Sequence, residues 1–188
     1  MSLVQQAQHI IKMHLLDGDI AVDATVGNGH DTLFLAQCVG NSGKVYGFDI
    51  QQNALDICYQ RLDEHQLTHR VSLIHAGHET IPIVLPTEIC NAGVKAVMFN
   101  LGYLPGGDKN RTTQTSTTLA ALSSAAQILA PEGIISIIAY TGHPGGQEEY
   151  ESVRIWAQRL ADDIFVIDIQ DRPESNKPSP VLIVIRKK

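Results

Sequence analysis

The sequence has few cysteines, no long apolar run and no excess of basic residues, and each absence excludes a class of protein. Its three cysteines, Cys38, Cys58 and Cys90, are odd in number and widely spaced, so they form neither a disulfide framework nor a C-x-x-C metal clip. No apolar run approaches the roughly 18 residues that cross a bilayer. The N-terminal segment also lacks the basic start and continuous apolar core of a signal peptide. These absences predict a cytoplasmic protein with no membrane partner and no bound metal.

The charge balance is acidic, which restricts the ways in which the protein can bind nucleic acid. A net charge of -6 argues against broad, sequence-blind binding, because such binding depends on many contacts from Lys and Arg to phosphates. A local basic rim stays compatible with this charge. A hydrophobic content of 44% is typical of a globular protein, and 188 residues fit one domain, which we expect to span 1–188.

Apolar strands alternate with amphipathic helices along the chain. With right-handed crossovers, this alternation predicts a doubly wound α/β sheet that carries helices on both faces. No helix fits between the last two strands, so we expect them to be antiparallel neighbours. The first helix is expected to lie across one sheet edge. The predicted strands are residues 20–24, 44–49, 71–75, 94–99, 134–140, 164–169 and 181–185. The predicted helices are residues 3–16, 30–38, 52–66, 112–129 and 147–160, and residues 82–93 are predicted to be irregular.

The first predicted strand leads into a glycine-spaced turn, Gly27-Asn28-Gly29, and then into a helix. This arrangement places bare backbone N–H groups beside the positive end of a helix dipole, which is a device for recognising nucleotides. The motif departs from the dinucleotide fingerprint G-x-G-x-x-G, because Thr32 occupies the position of the third glycine. A tight strand-to-helix connection without a ligand is the alternative interpretation.

The second predicted strand ends on Asp49, twenty residues after Gly29. At this interval nucleotide-binding sheets place an acid against ribose hydroxyls, since a carboxylate offers acceptor oxygens to two neighbouring donors. The alternative is that Asp49 caps the helix predicted to start near Gln52.

Three later loops carry candidate site residues at the same edge of the sheet. His78 follows the third strand and either flanks a bound base or caps a short turn. After the fourth strand, Asn100 offers an amide carbonyl to a substrate amine, and Tyr103 offers a ring face to a planar base. His143, after the fifth strand, is the candidate general base, because imidazole accepts a proton at neutral pH. The alternative for His143 is a loop histidine that binds a backbone carbonyl or a phosphate.

Three segments carry a family resemblance: AVDATVGNGHDTLFLA, NLGYLPGGDK and TGHPGG. Together with Asp49 and the antiparallel last strand, they resemble the YtqB-type family of class I S-adenosylmethionine-dependent methyltransferases, long labelled rRNA methylases. The resemblance covers essentially the whole chain. It implies a Rossmann-like, doubly wound, seven-stranded methyltransferase sheet, mostly parallel with an antiparallel last strand, and S-adenosyl-L-methionine as cofactor. Members of this family are implicated in methylating the aminomethyl group of the tRNA wobble uridine, the MnmM-type activity, and the resemblance implies that reaction here.

The site expected from these motifs has a cofactor half and a substrate half. In the substrate half Asn100 orients the amine, Tyr103 packs on the pyrimidine, and His143 or Asp108 takes the proton. RNA is the expected partner, in the anticodon region of tRNA, and a homodimer is left open. The expected cofactor residues are Asp23, Thr25, Gly27, Asn28, Gly29, Asp31, Thr32, Asp49, Gln51, Gly77, His78 and Asn100. The basic residues available for phosphates are Lys109 and Arg111 first, then Arg154, Arg172, Lys177 and the tail at 186–188.

Three other functions are compatible with parts of the pattern. A methyltransferase with a small-molecule or rRNA acceptor would use the same cofactor residues, and the acidic charge favours a small molecule. A non-catalytic S-adenosylmethionine-binding protein would keep the cofactor site without the reaction. A nicotinamide oxidoreductase shares the first strand and helix, but Thr32 and the reversed last strand are atypical of that class.

Overall fold

The fold is built on one seven-stranded sheet. The computed structural model describes residues 1–107, 111–170 and 179–188. From one edge to the other, the strands lie in the order β3-β2-β1-β4-β5-β7-β6. They are β1 Ile20–Asp23, β2 Lys44–Asp49, β3 Val71–His75, β4 Val94–Leu101, β5 Leu129–Ala139, β6 Phe165–Gln170 and β7 Val181–Lys187.

The strand order creates a crevice at the carboxyl ends of the central strands. The first five strands are parallel, and β7 is antiparallel to both of its neighbours, β5 and β6. After β1 the chain builds outward to β3 and then returns to place β4 on the other side of β1, so the strand order reverses between β1 and β4. Ligands of open α/β sheets bind beyond the carboxyl ends of the strands at such a point. The predicted doubly wound, mostly parallel sheet with an antiparallel last strand is confirmed.

Helices cover both faces of the sheet, and the strands alternate their side chains between the two layers. Val97, Phe99 and Leu101 of β4 pack against one layer, whereas Ala96 and Met98 pack against the other. The alternation follows because successive side chains of a strand point to opposite faces. The layer against Ala96 contains α1 Leu3–Lys12, α2 His30–Cys38 and α3 Gln52–Glu64. The layer against Val97 contains α4 Ile81–Val84, α5 Thr87–Ala92, α6 Thr115–Ile128 and α7 Gly146–Gln158.

The first helix differs from its prediction in length and in place. It ends at Lys12 rather than at residue 16, and Ser2 and Gln5 form a capping box at its start. Beyond the helix the chain turns and buries Leu15. The helix packs against β5 and β7, which are interior strands, so the predicted location across a sheet edge is wrong. This position brings α1 close to the carboxyl end of the sheet.

Other elements depart from the predicted pattern through their ends. Residues 82–93, predicted to be irregular, instead contain most of α4 and all of α5. Pro82 stands in the first turn of α4, where a missing N–H is tolerated. Strand β4 continues to Leu101, so Asn100 is a strand residue paired with Ile138 rather than a loop residue. Within the described ranges, no helix is long and apolar enough to cross a membrane.

Candidate active site

Two neighbouring cavities open at the carboxyl ends of the parallel strands. One, of about 330 Å³, lies over β1, β2 and β3 and contains Asp49; we call it the Asp49 cavity. The other, of about 820 Å³, lies between α1, α2 and the loop after β5 and contains Asp31; we call it the Asp31 cavity. The residues that line both cavities are Thr25, Gly27, Asn100, Gly102, Tyr103 and Pro105. The two cavities therefore share a wall made by the glycine turn and the end of β4.

The glycine turn requires Gly29 for two separate reasons. Gly29 has a φ of 75° and precedes the first residue of α2. A Cβ built on it would stand 2.7 Å from the Sγ atom and 2.8 Å from the Cα atom of Cys58, so α3 packs directly on the glycine. Gly27 also has a positive φ, 52°, but a Cβ there would meet only ordinary contacts. Gly29 is thus a packing residue, whereas Gly27 lines both cavities.

A buried carboxylate holds this turn from beneath. Asp23, at the end of β1, is fully buried, and it accepts hydrogen bonds from the Thr25 N–H at 3.1 Å and from the Thr32 hydroxyl at 2.6 Å. Burial and the nearby Asp31 carboxylate raise the pKa of Asp23 to about 7. Three predicted cofactor residues, Asp23, Gly29 and Thr32, line neither cavity. They support the turn, and their predicted contact with a cofactor stays a prediction.

Asp49 joins the first two strand-to-helix loops across the Asp49 cavity. Its Oδ2 atom accepts from the Gly27 N–H at 2.9 Å, and its Oδ1 atom accepts from the Gln51 N–H at 2.9 Å. Gln51, not Asp49, is the N-cap residue of α3, so the alternative role as a helix cap is wrong. Phe48 and Ile50 add apolar surface beside the carboxylate. The cavity therefore offers acceptor oxygens next to bare backbone and an apolar wall.

His78 lines the Asp49 cavity and also anchors its floor. Gly77, which lines the same cavity, precedes the 3₁₀ helix that begins at His78. The His78 Nδ1 atom lies 3.1 Å from the carbonyl oxygen of Ala24, which only accepts, so Nδ1 donates. The ring also meets Phe99 edge-on, with centroids 5.7 Å apart. Burial lowers the pKa of His78, so the imidazole is neutral at pH 7.

The opposite wall of the Asp49 cavity is fastened by a buried glutamate that sequence reasoning missed. Glu149 of α7 accepts from the hydroxyl of Thr113 at 2.6 Å and from that of Thr118 at 2.7 Å. The Thr113 N–H also donates to the Gly102 carbonyl at 2.8 Å, beside an antiparallel bridge between Tyr103 and Thr112. Glu149 thereby holds the wall against the loop after β4. Its only sequence signal was a charged residue on the inner face of a helix.

Asn100 stands at the junction of the two cavities and is held at both ends. Its backbone N–H donates to the Thr25 hydroxyl at 2.7 Å, and its side-chain Nδ2 donates to Asp31 Oδ2 at 2.7 Å. The other oxygen of Asp31 accepts from Gln8 Nε2 at 2.7 Å. Because a carboxylate only accepts, these contacts fix the amide of Asn100 with Nδ2 toward Asp31. Sequence reasoning missed Gln8, since a glutamine beside the apolar stripe of a helix carries no functional signal.

His143 and Asn28 line the Asp31 cavity. The Nδ1 atom of His143 lies 3.0 Å from the carbonyl oxygen of Pro144, which only accepts, so Nδ1 donates to it. Nε2 is buried and has no hydrogen-bond partner among the residues that the structure describes. The ring faces Tyr103 edge-on at a centroid distance of 6.0 Å. Asn28 donates to the Pro105 carbonyl at 3.3 Å and so ties the glycine turn to the loop after β4.

The candidate basic residues are scattered. Arg111 lines the Asp49 cavity, and Arg154 is paired with Glu151 at 3.2 Å. Arg186 pairs with Ile134 in β5, far from the carboxyl end of that strand. The C-terminal tail therefore lies at the opposite end of the strands from the two cavities. Among the described residues, no group of three His, Cys, Asp or Glu side chains is placed to hold a metal ion. Four candidates, Asp108, Lys109, Arg172 and Lys177, lie outside the described residues.

The fold and the cavities together define a class. An open sheet in the order β3-β2-β1-β4-β5-β7-β6 with β7 reversed, and a cavity on a glycine turn beside an acid at the end of β2, form the Rossmann-like fold of class I methyltransferases. The chain belongs to the family described as "Putative rRNA methylase", whose model matches residues 45–186.

Solved structures of similar proteins agree with this assignment. A "putative rRNA-methylase" from Clostridium thermocellum is 40% identical, with a TM-score of 0.93 over 100% of this chain and 98% of that chain. A "putative methyltransferase" from Streptococcus mutans, crystallised in complex with SAH, is 30% identical, with a TM-score of 0.88 over 100% of this chain and 99% of that chain.

A curated relative from Arabidopsis thaliana is named tRNA (mnm(5)s(2)U34)-methyltransferase, chloroplastic. It is 40% identical over an alignment of 164 residues, and the alignment covers 82% of this chain and 59% of that protein. The chain therefore spans less than two thirds of the length of this relative. The predicted family is confirmed, and the enzyme class of this family, S-adenosylmethionine-dependent methyltransferases, is the predicted one.

Proposed function

We propose that this protein binds S-adenosylmethionine in the Asp49 cavity and methylates an amine of RNA that enters the Asp31 cavity. The proposed acceptor is the aminomethyl group of a tRNA wobble uridine. The observation that carries the proposal is the shared wall, because Thr25, Asn100 and Tyr103 line both cavities and a donor and an acceptor would meet there. The name of the Arabidopsis relative supports tRNA as the acceptor.

The residues of the Asp49 cavity fit the proposed cofactor. The carboxylate of Asp49 offers acceptors to a ribose diol, and Phe48 and Ile50 offer apolar surface to a purine. A Cβ at Gly27 would point toward Leu104, 3.5 Å away, so the bare glycine keeps this side of the cavity open. When bound, the cofactor supplies an electrophilic methyl group on a sulfonium centre.

The chain itself needs chiefly to align the acceptor and to exclude water. A neutral primary amine is already a competent nucleophile, and alignment alone contributes several kcal/mol to such reactions. Asn100 directs Oδ1 away from Asp31, so that it can accept from an amine N–H. His143, which lines the Asp31 cavity, is the proposed acceptor of the proton that the ammonium form of the amine loses before its nitrogen attacks, and Tyr103 packs on the pyrimidine. Asp108 stays a prediction as an alternative proton acceptor.

A small-molecule acceptor is the second candidate. The Asp31 cavity, at about 820 Å³, has the size of a small-molecule site, and the net charge of the chain is -6. An rRNA acceptor and a cofactor-binding protein without activity are the remaining alternatives, and the experiment below distinguishes them. Whether the protein forms a homodimer is decided by its mass in solution.

The direct test is transfer of a labelled methyl group from S-adenosylmethionine to tRNA from cells that lack this modification, followed by nucleoside analysis. We expect the label in the wobble nucleoside. Label in rRNA or in a metabolite fraction would assign a different acceptor. Binding of the cofactor without transfer to any fraction would contradict an enzymatic function.

Two variants test the division of the site into two halves. Asp49→Ala should abolish S-adenosylmethionine binding in calorimetry, whereas Asp63→Ala, an exposed carboxylate on α3, should leave it unchanged. Asn100→Ala should lower turnover far more than cofactor affinity, because its amide contacts the acceptor. Unchanged affinity in Asp49→Ala would refute the cofactor assignment.

A further inference from the structure

We propose that Gln8, Asp31 and Asn100 form a positioning relay through which the N-terminal helix aligns the amine acceptor, with Asp31 supplying the negative charge that selects a cationic acceptor. This inference rests on the proposed function and assigns two residues to it. Asn100 is the residue that contacts the acceptor, and Gln8 and Asp31 act through it.

The relay is a continuous chain of hydrogen bonds from α1 to β4. Gln8 Nε2 donates to Asp31 Oδ1 at 2.7 Å, and Asn100 Nδ2 donates to Asp31 Oδ2 at 2.7 Å. Asp31 is 6% exposed, so its carboxylate meets little water and relies on these two donors. Hydrogen bonds to a charged acceptor are stronger than neutral ones and define direction. The relay therefore holds Asn100 Nδ2 toward Asp31 and leaves Oδ1 as the atom that can accept from the amine.

Packing and hydrogen bonds hold the backbone at both ends of the relay. Asn100 lies in β4, where it pairs with Ile138, and its N–H is held by the Thr25 hydroxyl at 2.7 Å. Gln8 lies one residue after Ala7, which is fully buried in the core under α1. Asp31 is in the first turn of α2, where the helix dipole favours a negative charge. Three separate elements thus converge on one carboxylate at the wall of the Asp31 cavity.

The charge of the cavity favours an acceptor that arrives as a cation. Among the described residues that line the Asp31 cavity, Asp31 is the acidic one and none is Lys or Arg. The other titratable groups that line this cavity are the imidazoles of His30 and His143 and the phenols of Tyr103 and Tyr140. An aminomethyl group enters as an ammonium ion, which this field attracts, whereas a phosphate or carboxylate group would be repelled. The ammonium ion must lose one proton, for which His143 is the proposed acceptor, before its nitrogen can attack the sulfonium methyl group; the methylated amine then leaves as an ammonium ion and the cofactor as a thioether.

Asp31 was expected among the cofactor residues, and its contacts argue for a different role. It lines the Asp31 cavity and not the Asp49 cavity, and both of its oxygens face side-chain donors of the relay. A cofactor residue and a positioning residue make different predictions. Loss of the first weakens S-adenosylmethionine binding, and loss of the second lowers turnover with the cofactor affinity unchanged.

A polarity swap separates the relay from a purely structural role. Gln8→Glu places two carboxylates against each other and should lower kcat on the order of a hundredfold, since a buried charge loses its partner. Asp31→Asn keeps the shape, because the new amide can accept from Asn100 and donate to Gln8 Oε1, but it removes the charge and should mainly raise KM for tRNA. The double variant Gln8→Glu with Asp31→Asn restores both the hydrogen bonds and the charge. We expect its kcat and KM to return to within about threefold of the original protein, because the paired changes couple.

The assay is labelled-methyl transfer to tRNA that lacks the modification, with calorimetric S-adenosylmethionine affinity and thermal stability measured for each variant. Gln6→Ala is the matched control on α1, because the Gln6 side chain lines neither cavity. The relay is supported if the swap restores kcat while cofactor affinity stays constant throughout. It is overturned if Gln8→Glu has the activity of the control, if the double variant is as inactive as the single one, or if Asp31→Asn weakens cofactor binding. An original protein that transfers no methyl group to tRNA would instead refute the proposed function.

Discussion

Substitution by alanine should mainly lower stability at Gly29 and mainly weaken cofactor binding at Gly27. Gly29→Ala adds a Cβ that would stand 2.7 Å from Cys58 Sγ and 2.8 Å from Cys58 Cα, at a φ of 75°. The left-handed backbone costs about 1 kcal/mol for alanine. Displacing α3 from the turn costs about 2 kcal/mol more, since overpacking a tight core contact costs about 1–3 kcal/mol. We expect the free energy of unfolding to fall by about 3 kcal/mol.

Gly27→Ala should affect ligand binding instead. Its φ of 52° carries the same backbone cost of about 1 kcal/mol, but the nearest atom to the new Cβ is Leu104 Cδ1 at 3.5 Å, an ordinary contact. The added methyl group stands where the two cavities share a wall. We expect an S-adenosylmethionine affinity at least about tenfold weaker with a loss of only about 1 kcal/mol in stability.

Urea denaturation gives the stability of each variant, and calorimetry of the folded proteins gives the cofactor affinity. We expect Gly29→Ala to be the less stable of the two variants and Gly27→Ala to bind S-adenosylmethionine more weakly. Equal stabilities would refute the packing of α3 on Gly29 as the reason for that glycine. Unchanged affinity in Gly27→Ala would refute the placement of the cofactor against the turn.

Three further substitutions address the groups around the site. His143→Gln should lower kcat about a hundredfold with S-adenosylmethionine affinity unchanged in calorimetry, since it removes the proton acceptor; equal loss of both would contradict that role. Burial raises the pKa of Asp23 to about 7 from 3.8, so the folded state keeps a proton that the unfolded state releases, and stability falls as pH rises from about 4 to 7. The free energy of unfolding from urea denaturation should fall over this pH range in the original protein but not in Asp23→Asn, and the same pH dependence in both proteins would contradict this prediction. Glu149→Ala leaves the hydroxyls of Thr113 and Thr118 without their acceptor, and it should cost about 2 kcal/mol and raise KM for the cofactor severalfold, with exposed Glu148→Ala as the neutral comparison in the same assays.

The parts of the site that could be predicted from sequence are those written in local spacing. The strand, glycine turn and helix of residues 20–38 are contiguous, and Asp49 follows Gly29 at the interval that one crossover of this fold requires. The placement of Asn100 and His143 at one end of the sheet also followed, because parallel strands bring their carboxyl ends to one side. The prediction was wrong for α1 and for residues 82–93, where packing on the sheet and the tolerance of a proline in a first turn outweighed local signals.

The partners of the site residues depended on contacts between distant segments. Glu149 meets Thr113 across 36 residues, and Gln8 meets Asp31 across 23 residues. Glu149 is in α7 and Thr113 precedes α6, whereas Gln8 is in α1 and Asp31 is in α2. A helical or strand period relates only residues within one element, so no such period could indicate these contacts. They arise only once α1 and α2 lie on one face of the sheet and α6 and α7 on the other.

The sequence by itself therefore determined the sheet, the glycine turn and the acid at the end of β2, because each of these depends on apolar period, turn chemistry and short spacing. The tertiary structure decided which carboxylate faces a cavity and which lies beneath the turn. Asp23, Asp31 and Asp49 are equivalent as letters, but burial under the glycine turn, a place between two amide donors and a bridge to two backbone N–H groups make them three different groups. That difference comes from packing between elements, and it separates support of the turn, the proposed alignment of the acceptor and the proposed binding of the cofactor.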